Sequence, residues 1–207
     1  MILADIGNRH IHIYEDGAVL NLDPHDAIEN FGERIVHYIC VNESLRSEIV
    51  ENTYWRDISS RIELKGSYEK MGVDRKALCL SMGDGLYIDA GSAITIDKVS
   101  GGEYMGGYIV PGLYSMLKAY SGVSALLEID PHWHIDTQKL HKGTREQISS
   151  SIVLALEALV ATIRDEDEAI YCTGGDARIV SSWFEGSICD DALVFKGILR
   201  ALNDSGV

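Results

Sequence analysis

Two stretches of this chain carry the same order of apolar and polar positions. In the first, Ile2-Leu3-Ala4 runs into Asp5, and a turn follows through Ile6-Gly7-Asn8. Arg9-His10-Ile11-His12-Ile13-Tyr14 then alternates before the hairpin turn Glu15-Asp16-Gly17 and the return Ala18-Val19-Leu20. In the second, Leu86-Tyr87-Ile88 runs into Asp89, Ala90-Gly91-Ser92 turns, and Ala93-Ile94-Thr95-Ile96-Asp97 alternates. After a polar turn over 98–102, a third segment reads Tyr104-Met105-Gly106-Gly107-Tyr108-Ile109-Val110. A short apolar run that ends in a carboxylate predicts a buried strand with the Asp at its tip. A Gly two positions on admits a sharp turn or a close backbone approach. Alternation with β-branched residues predicts a returning strand. The two aspartates lie 84 positions apart (89 − 5), so the chain reads as two copies of one strand–turn–strand–turn–strand unit.

Between and after the copies the period changes. The pattern predicts a short helix over 26–32, a strand over 34–41, and an amphipathic helix over 43–54 with Leu45, Ile49 and Val50 on one side. A short strand is predicted over 61–64, then a polar loop through Gly72-Val73-Asp74-Arg75, then an apolar helix over 76–82. The later part predicts a helix over 113–120, an irregular stretch over 121–133, and a long helix over 144–164. Thr144 with Gln147 three residues on is the spacing of a capping box. Positions 152–163 are apolar almost all round, which predicts burial in the core or against another subunit. A strand over 169–172 runs into Thr173-Gly174-Gly175-Asp176-Ala177 and a helix reaching about 183. A strand at 194–195 and a helix over 198–202 close the chain. Strands alternate with helices, while hairpins open each part. That predicts an α/β fold with mixed sheets, divided into half-domains 1–84 and 85–207.

Composition narrows the function classes. The formal net charge is −14, from 32 acidic and 18 basic residues. With no basic run, such a chain repels nucleic acid and anionic membrane surfaces. An anionic ligand then needs a locally positive pocket or a bound cation. The 20 glycines against 3 prolines fit turns that approach a ligand closely better than they fit linkers. The four cysteines, Cys40, Cys79, Cys172 and Cys189, have no C-x-x-C or zinc spacing. Cys40 and Cys172 lie in apolar runs and read as buried free thiols. The early polar residue Asp5 argues against a signal peptide, no apolar run approaches membrane-spanning length, and a cytoplasmic location is expected.

Three places have the residue types that chemistry on phosphates needs. Two D-x-G turns facing one cleft would flank a polyphosphate, with backbone N–H groups on its oxygens and carboxylates holding a charge-neutralising cation. One such turn alone is also what an ordinary strand end looks like. Thr173-Gly174-Gly175-Asp176 opens a helix, where paired glycines let an anionic ligand lie against backbone. A plain strand–helix turn has the same appearance, and the P-loop spacing is absent. In Gly72-Val73-Asp74-Arg75 the guanidinium suits a carboxylate or phosphate, and the neighbouring carboxylate suits proton acceptance from a hydroxyl. The alternative is a helix-capping Asp beside a solvated Arg. His10 and His12 read as surface residues on a strand. His132, His134 and His141 show no metal-ligand spacing, and Asp165-Glu166-Asp167-Glu168 reads as a solvated turn.

Taken together these stretches resemble the type III pantothenate kinases, in the family's order and over most of the chain. Asp5-Ile6-Gly7-Asn8 resembles the N-terminal phosphate motif, and Gly72-Val73-Asp74-Arg75 the G-x-D-R substrate motif. Asp89-Ala90-Gly91-Ser92-Ala93-Ile94-Thr95 resembles D-x-G-T-A-x-T. Gly106-Gly107-Tyr108-Ile109-Val110-Pro111-Gly112, Gly143-Thr144 and Thr173-Gly174-Gly175-Asp176 fall into place as well. Any one motif is unspecific, and the ordered set is specific.

The resemblance implies an actin-like (ribonuclease H-like) fold with two half-domains flanking a nucleotide cleft, a homodimer, and ATP-dependent phosphorylation of pantothenate in coenzyme A synthesis. It implies Mg²⁺ with the ATP and a monovalent cation, potassium or ammonium. By position, Asp74 is then the proton acceptor. Tyr68, Gly72, Val73, Asp74, Arg75 and Thr144 contact pantothenate. Asp5, Ile6, Gly7, Asn8, Arg9, His10, Ile11, His12 and Ser92 contact ATP, and Asp89 holds the monovalent cation. Arg9 stands where the family usually has Thr or Ser, Ser92 replaces a Thr but keeps the hydroxyl, the stretch before Gly72 is shorter than in many members, and the chain is short for the family. Two rival expectations remain: another small-alcohol or sugar kinase of the same fold, and a non-catalytic nucleotide-binding accessory factor in gene expression.

Overall fold

A computed structural model describes residues 1–204. The chain folds into two units. One comprises residues 1–83, 100–105 and the segment from Asp191 on; the other comprises 84–99 and 106–190. A contiguous division at 84/85 was expected. The observed division is discontinuous, because the C-terminal helix packs with the first unit.

The first unit is built on a five-stranded sheet of order β3-β2-β1-β4-β5. Its strands are β1 (Ile2–Ile6), β2 (Ile11–Glu15), β3 (Ala18–Leu22), β4 (Val36–Cys40) and β5 (Arg56–Asp57). The hairpins β1–β2 and β2–β3 are antiparallel, whereas β4 and β5 join in parallel. Helices α1 (Pro24–Phe31) and α2 (Glu43–Asn52) connect them. Asn42 caps α2 by accepting from the Ser44 and Leu45 amides, as Asn does when its short side chain reaches the orphan N–H groups of a first turn. The core under this sheet holds Ala4, Ile6, Ile11, Ile13, Tyr38 and Trp55. The Trp55 indole N–H donates to the Phe31 carbonyl at 3.0 Å, so the ring is buried without leaving its polar atom unpaired.

The second unit repeats that topology. Its sheet has the order β10-β9-β6-β7-β8, formed by β6 (Gly85–Ala90), β7 (Ala93–Ser100), β8 (Glu103–Pro111), β9 (Ile170–Thr173) and β10 (Ile188–Cys189). Read from β8, the order 8-7-6-9-10 is the order 3-2-1-4-5 with five added to each strand. The internal copy read from the two D-x-G stretches therefore extends to all five strands of each sheet. Helices α4 (Leu113–Val123), α5 (Thr144–Ile163) and α6 (Ala177–Ser181) complete this unit. Its core groups Leu86, Ile88, Ile94 and Ile96 of the sheet with Ile148, Ile152, Leu156 and Val160 of α5.

Several elements differ from the sequence expectation, each for a local reason. No strand forms over 61–64. Ile62 and Leu64 are buried alternately, but Arg56–Asp57 takes the place beside β4, and a 3₁₀ turn occupies Ser59–Arg61. Helix α3 (Val73–Leu80) starts earlier than expected, so the G-x-D-R residues are a helix N-terminus rather than a loop. Thr144 is the first helical residue and Gly143 the cap, with no side-chain cap bond. The Gln147 side-chain carboxamide donates to the His141 carbonyl instead, so the capping box is absent. Val194-Phe195 is not a strand. It belongs to α7 (Leu193–Asp204), where Leu193, Val194, Ile198, Ala201 and Leu202 recur on one helical face.

Helix α5 is buried on one side only, through Ile148, Ile152, Val153, Leu156 and Val160. Ser151, Leu154, Ala155, Ala158, Ala161 and Thr162 are exposed. By length and composition α5 is apolar enough to cross a membrane, which corrects the expectation that no run approaches that length. Its buried side packs into the core of its own unit.

Candidate active site

In the first unit, Asp5 lies next to last on β1, opposite His12 of β2 and beside Ile39 of β4. Directly opposed residues of an antiparallel pair share a face, so Asp5 and His12 project together. The turn between them is tight: the Gly7 amide donates to the His10 carbonyl at 3.1 Å. A side chain at Gly7 would begin 3.4 Å from that carbonyl oxygen. Ile6 and Ile11 anchor the turn in the core, while Asn8, Arg9 and His10 are exposed. The Asn42 carboxamide donates to the Asn8 carbonyl at 3.4 Å, which ties this turn to the cap of α2. His12 was expected at the surface. It is half-buried, and loss of hydration, aided by the neighbouring His10, holds its imidazole below the usual histidine range.

The G-x-D-R residues open α3 behind the cap residue Gly72. The helix N-terminus favours the Asp74 carboxylate in its first turn. Asp74 Oδ1 accepts from the Arg75 amide at 2.7 Å. A side chain at Gly72 would begin 2.4 Å from the same oxygen, so only glycine leaves Asp74 its position. Arg75 is 8% exposed, an unusual state for a guanidinium. Its Nη1 donates to the Tyr68 hydroxyl at 2.7 Å and its Nη2 to the Tyr104 hydroxyl at 3.2 Å. Its Cζ stands 5.9 Å from the Tyr68 ring centre. Tyr68 thus joins Arg75, as the motif order suggests. Tyr104 was not singled out from the sequence, where one Tyr at the head of a strand has no special signal.

The second unit places Asp89 next to last on β6, opposite Thr95 and beside Thr173, the same station that Asp5 has on β1. The Gly91 amide donates to the Ala93 carbonyl at 3.0 Å. Opposed positions are 6 residues apart here (95 − 89) against 7 in the first unit (12 − 5), so this turn is one residue shorter. The segment after β9 closes on the tip of β6. The Asp176 amide donates to the Ala90 carbonyl at 2.8 Å. Gly174 has φ +97°, and a Cβ there would lie 2.5 Å from Asp89 Oδ1 and 2.6 Å from the Ala90 carbonyl oxygen. Gly112 presses on the other side, its amide donating to the Ser92 carbonyl at 3.1 Å. A Cβ on Gly112 would come 2.2 Å from the Gly91 oxygen. Ser92 is exposed, as is Thr144 at the start of α5. Burial pushes the Asp176 carboxyl above the usual carboxylate range and the Cys172 thiol up to about 12. Cys40, Cys79 and Cys172 are buried free thiols, whereas Cys189 is exposed.

Each unit thus has its own group: residues 5–12, Tyr68 and Gly72, Val73, Asp74 and Arg75 in the first, and Asp89, Ser92 and the 173–176 turn in the second. Oxygen donors at strand tips suit hard cations. At the tip of β6 the Asp89 carboxylate and the Ala90 carbonyl oxygen lie close together against Gly174, oxygen donors of the kind that suit a monovalent cation. The Asp5 carboxylate at the tip of β1 suits Mg²⁺ carried by a polyphosphate. The side-chain cluster of possible metal ligands found among the described residues, His25, Asp26 and Glu29, is exposed and contains none of these residues.

Comparison with known proteins agrees with the motifs. The family model described as type III pantothenate kinase matches residues 43–166. The type III pantothenate kinase of Helicobacter hepaticus is 35% identical over 207 residues, covering 98% of each chain. That of Sulfurimonas denitrificans is also 35% identical and covers 100% of both. A crystal structure from Campylobacter jejuni, described as a conserved putative Baf family transcriptional activator, superposes with a TM-score of 0.89. It shows 27% identity over 99% of this chain and 98% of that one. A putative 2-dehydro-3-deoxygalactonokinase from Sinorhizobium meliloti shares the fold alone, with a TM-score of 0.59, 13% identity and 99% coverage of each chain. The α/β fold with two mixed five-stranded sheets is the actin-like one expected. With a family model over more than half of its length and relatives above 30% identity end to end, the chain belongs to the type III pantothenate kinase family.

Proposed function

We propose that this protein phosphorylates pantothenate with ATP, giving 4′-phosphopantothenate in the first step of coenzyme A synthesis. The observation that carries the reading is the end-to-end identity to relatives of that name. The ordered motif set on strand tips and on the N-terminus of α3 supports it. A coupled assay of ADP release with and without pantothenate tests it.

Phosphoryl transfer asks little covalent work of a protein and much positioning and charge stabilisation. In this reading the turn at residues 5–12 offers backbone N–H groups to the ATP phosphates, with Asp5 oriented toward the associated Mg²⁺. Ser92, from the equivalent turn of the second sheet, contributes a hydroxyl. Tyr68, Gly72, Val73, Arg75 and Thr144 bind and orient pantothenate. Asp74 accepts the proton of the primary hydroxyl as that oxygen attacks the γ-phosphorus, and ADP leaves with the bridging oxygen. Asp89 holds potassium or ammonium, and these cations when bound offset the charge of the phosphates. The Asp89 carboxylate and the nearby Ala90 carbonyl oxygen, which Gly174 approaches closely, would supply oxygen donors for the monovalent ion.

A homodimer is the assembly we infer. The outer face of α5 has no charge from Ser151 through Thr162 apart from the half-buried Glu157, and Tyr114, Val123, Leu126 and Leu154 are exposed apolar residues of the same unit. A second copy of the chain would remove this surface from water. Sedimentation as a stable monomer at micromolar concentration would contradict it. The net charge of −14 argues for a cytoplasmic enzyme without nucleic-acid or membrane partners. The description of the Campylobacter structure as a putative transcriptional activator is the one observation favouring an accessory factor in gene expression. Such a factor has no need of a carboxylate at positions 5, 74 and 89 together, and this chain has all three.

A further inference from the structure

The row of side chains that crosses the second sheet at Asp89 differs from its counterpart in the first unit. Asp89 of β6 is opposed by Thr95 of β7 and flanked by Thr173 of β9. Asp5 of β1 is opposed by His12 and flanked by Ile39. Residues in register on neighbouring strands project from the same face. The second sheet therefore sets a hydroxyl on each side of its carboxylate, where the first sets an imidazole and an aliphatic chain. Thr95 is 9% exposed and Thr173 4%. The Thr95 hydroxyl oxygen is buried and meets no hydrogen-bond partner among the described residues.

Leaving a buried hydroxyl without a partner costs stability. Valine has the same branched shape, suits a strand at least as well, and would avoid that cost. A polar atom of this kind calls for a water, an ion or a ligand that the folded chain takes up. Its neighbour in the row decides among these. Asp89 is a carboxylate and, ionised, offers only acceptor oxygens. A hydroxyl oxygen beside it can give a lone pair to a cation while its hydrogen turns elsewhere, and a hard cation gathers several such oxygens. We propose that Thr95 is a ligand residue of the monovalent-cation site, its hydroxyl oxygen joining the Asp89 carboxylate on one ion. The inference rests on the reading of Asp89 as the holder of potassium or ammonium. The corresponding row at Asp5 has no second oxygen-bearing side chain, so the row marks the second unit alone for this ion.

Thr95→Val removes the hydroxyl at nearly constant shape, and ion binding rather than turnover is the readout. With Mg²⁺ and the non-hydrolysable analogue AMP-PNP saturating, potassium is titrated against tetramethylammonium at matched ionic strength, and the thermal midpoint is followed. An ion that binds the folded state raises that midpoint as its concentration rises. Wild type should gain stability from potassium, and Thr95→Val should need about tenfold more potassium for the same gain. Thr95→Ser keeps the oxygen and should stay within about threefold of wild type. Without potassium, Thr95→Val should melt at or above the wild-type midpoint, since it buries no unpaired hydroxyl. An equal potassium requirement in wild type and Thr95→Val overturns the inference and assigns the hydroxyl to a water. A lower midpoint of Thr95→Val without potassium overturns it as well, because the hydroxyl then has a structural partner. So does an equal loss of AMP-PNP affinity, measured by calorimetry, with and without potassium, which would place the hydroxyl on the nucleotide. If Thr95→Val does not fold, Thr95→Ala removes the same oxygen and must show the same shift in potassium requirement; its absence contradicts the role. A wild type that potassium fails to stabilise overturns the ion reading of Asp89 and this inference with it, an outcome distinct from a responsive wild type with an unaffected variant.

Discussion

Gly197 of α7 lies directly against the Ala77 carbonyl of α3, so closely that a Cβ on residue 197 would begin 1.7 Å from that oxygen. The two helices meet through backbone, and Phe195, two residues earlier in α7, stacks on Tyr14 of β2 at 5.2 Å. Ala77 follows Asp74 and Arg75 by less than one turn of α3, so the C-terminal helix packs beside the first turns of the helix that bears the substrate motif. Gly197→Ala should destabilise the protein by about 3 kcal/mol, the upper part of the range for overpacking, since backbone rather than a side chain must give way. Chemical denaturation checks this, and a midpoint equal to wild type would mean that the helices separate at no cost.

Asp74→Asn should lower turnover by roughly 10²- to 10⁴-fold, the usual effect of losing a positioned base. The carboxamide keeps the size and still accepts from the Arg75 amide, but it is a very poor base. ATP binding, followed by calorimetry, should survive. Asp5→Asn should differ by weakening Mg-ATP binding as well. Near-normal turnover in the Asp74 variant would assign the proton to another group.

Turnover should require potassium or ammonium and should respond poorly to sodium at matched ionic strength, which keeps general screening constant. The reason is local: Asp89 adds negative charge where ATP brings more, and the chain already has a net charge of −14. A large ion tolerates an irregular cage of carboxylate and carbonyl oxygens better than Mg²⁺ does. Asp89→Asn should weaken potassium activation. Gly174→Ala should do so too, since its Cβ would come 2.5 Å from Asp89 Oδ1 and force that carboxylate to shift. Equal rates in all three salts would reject the ion site, and full potassium activation of Asp89→Asn would move it elsewhere.

His12 gives the fold a dependence on acid. Burial disfavours its charged form, so its folded pKa lies below the unfolded value near 6.5. The folded state then binds fewer protons than the unfolded state, and the stability involved is present above the unfolded pKa and lost as pH falls below it. Half-buried His37, its imidazole held low by burial with Arg56 and Arg61 nearby, acts in the same direction. The denaturation midpoint should fall between pH 7 and 5.5, and His12→Gln should make that fall shallower than in wild type. Identical slopes would show that His12 is solvated in the folded chain.

Most of the sheet architecture was legible because it rests on strong local signals. Short apolar runs ending in Asp5 and Asp89, each followed by Gly and alternation, specify strand, turn and strand without reference to the rest of the chain. The errors fall where a tertiary choice decides. Ile62 and Leu64 have strand periodicity, yet Arg56 and Asp57 hold the sheet edge. Val194 and Phe195 are β-branched and aromatic, but five core positions at helical spacing claim them for α7. Thr144 with Gln147 has the spacing of a capping box, while Gly143 takes the cap and Gln147 turns to His141. At the site, Asp74 and Arg75 stood out by residue type. Tyr104 and Gly197 did not, since their importance lies in contacts with residues 29 positions (104 − 75) and 120 positions (197 − 77) away in the chain.

The most direct measurement of the central claim is ADP release by the purified chain with Mg-ATP and potassium present, with and without pantothenate, and with sugars as alternative acceptors. The account predicts release that depends on pantothenate and on Mg²⁺, with one phosphopantothenate formed per ADP. A well-folded preparation that releases ADP with a sugar and none with pantothenate would contradict it.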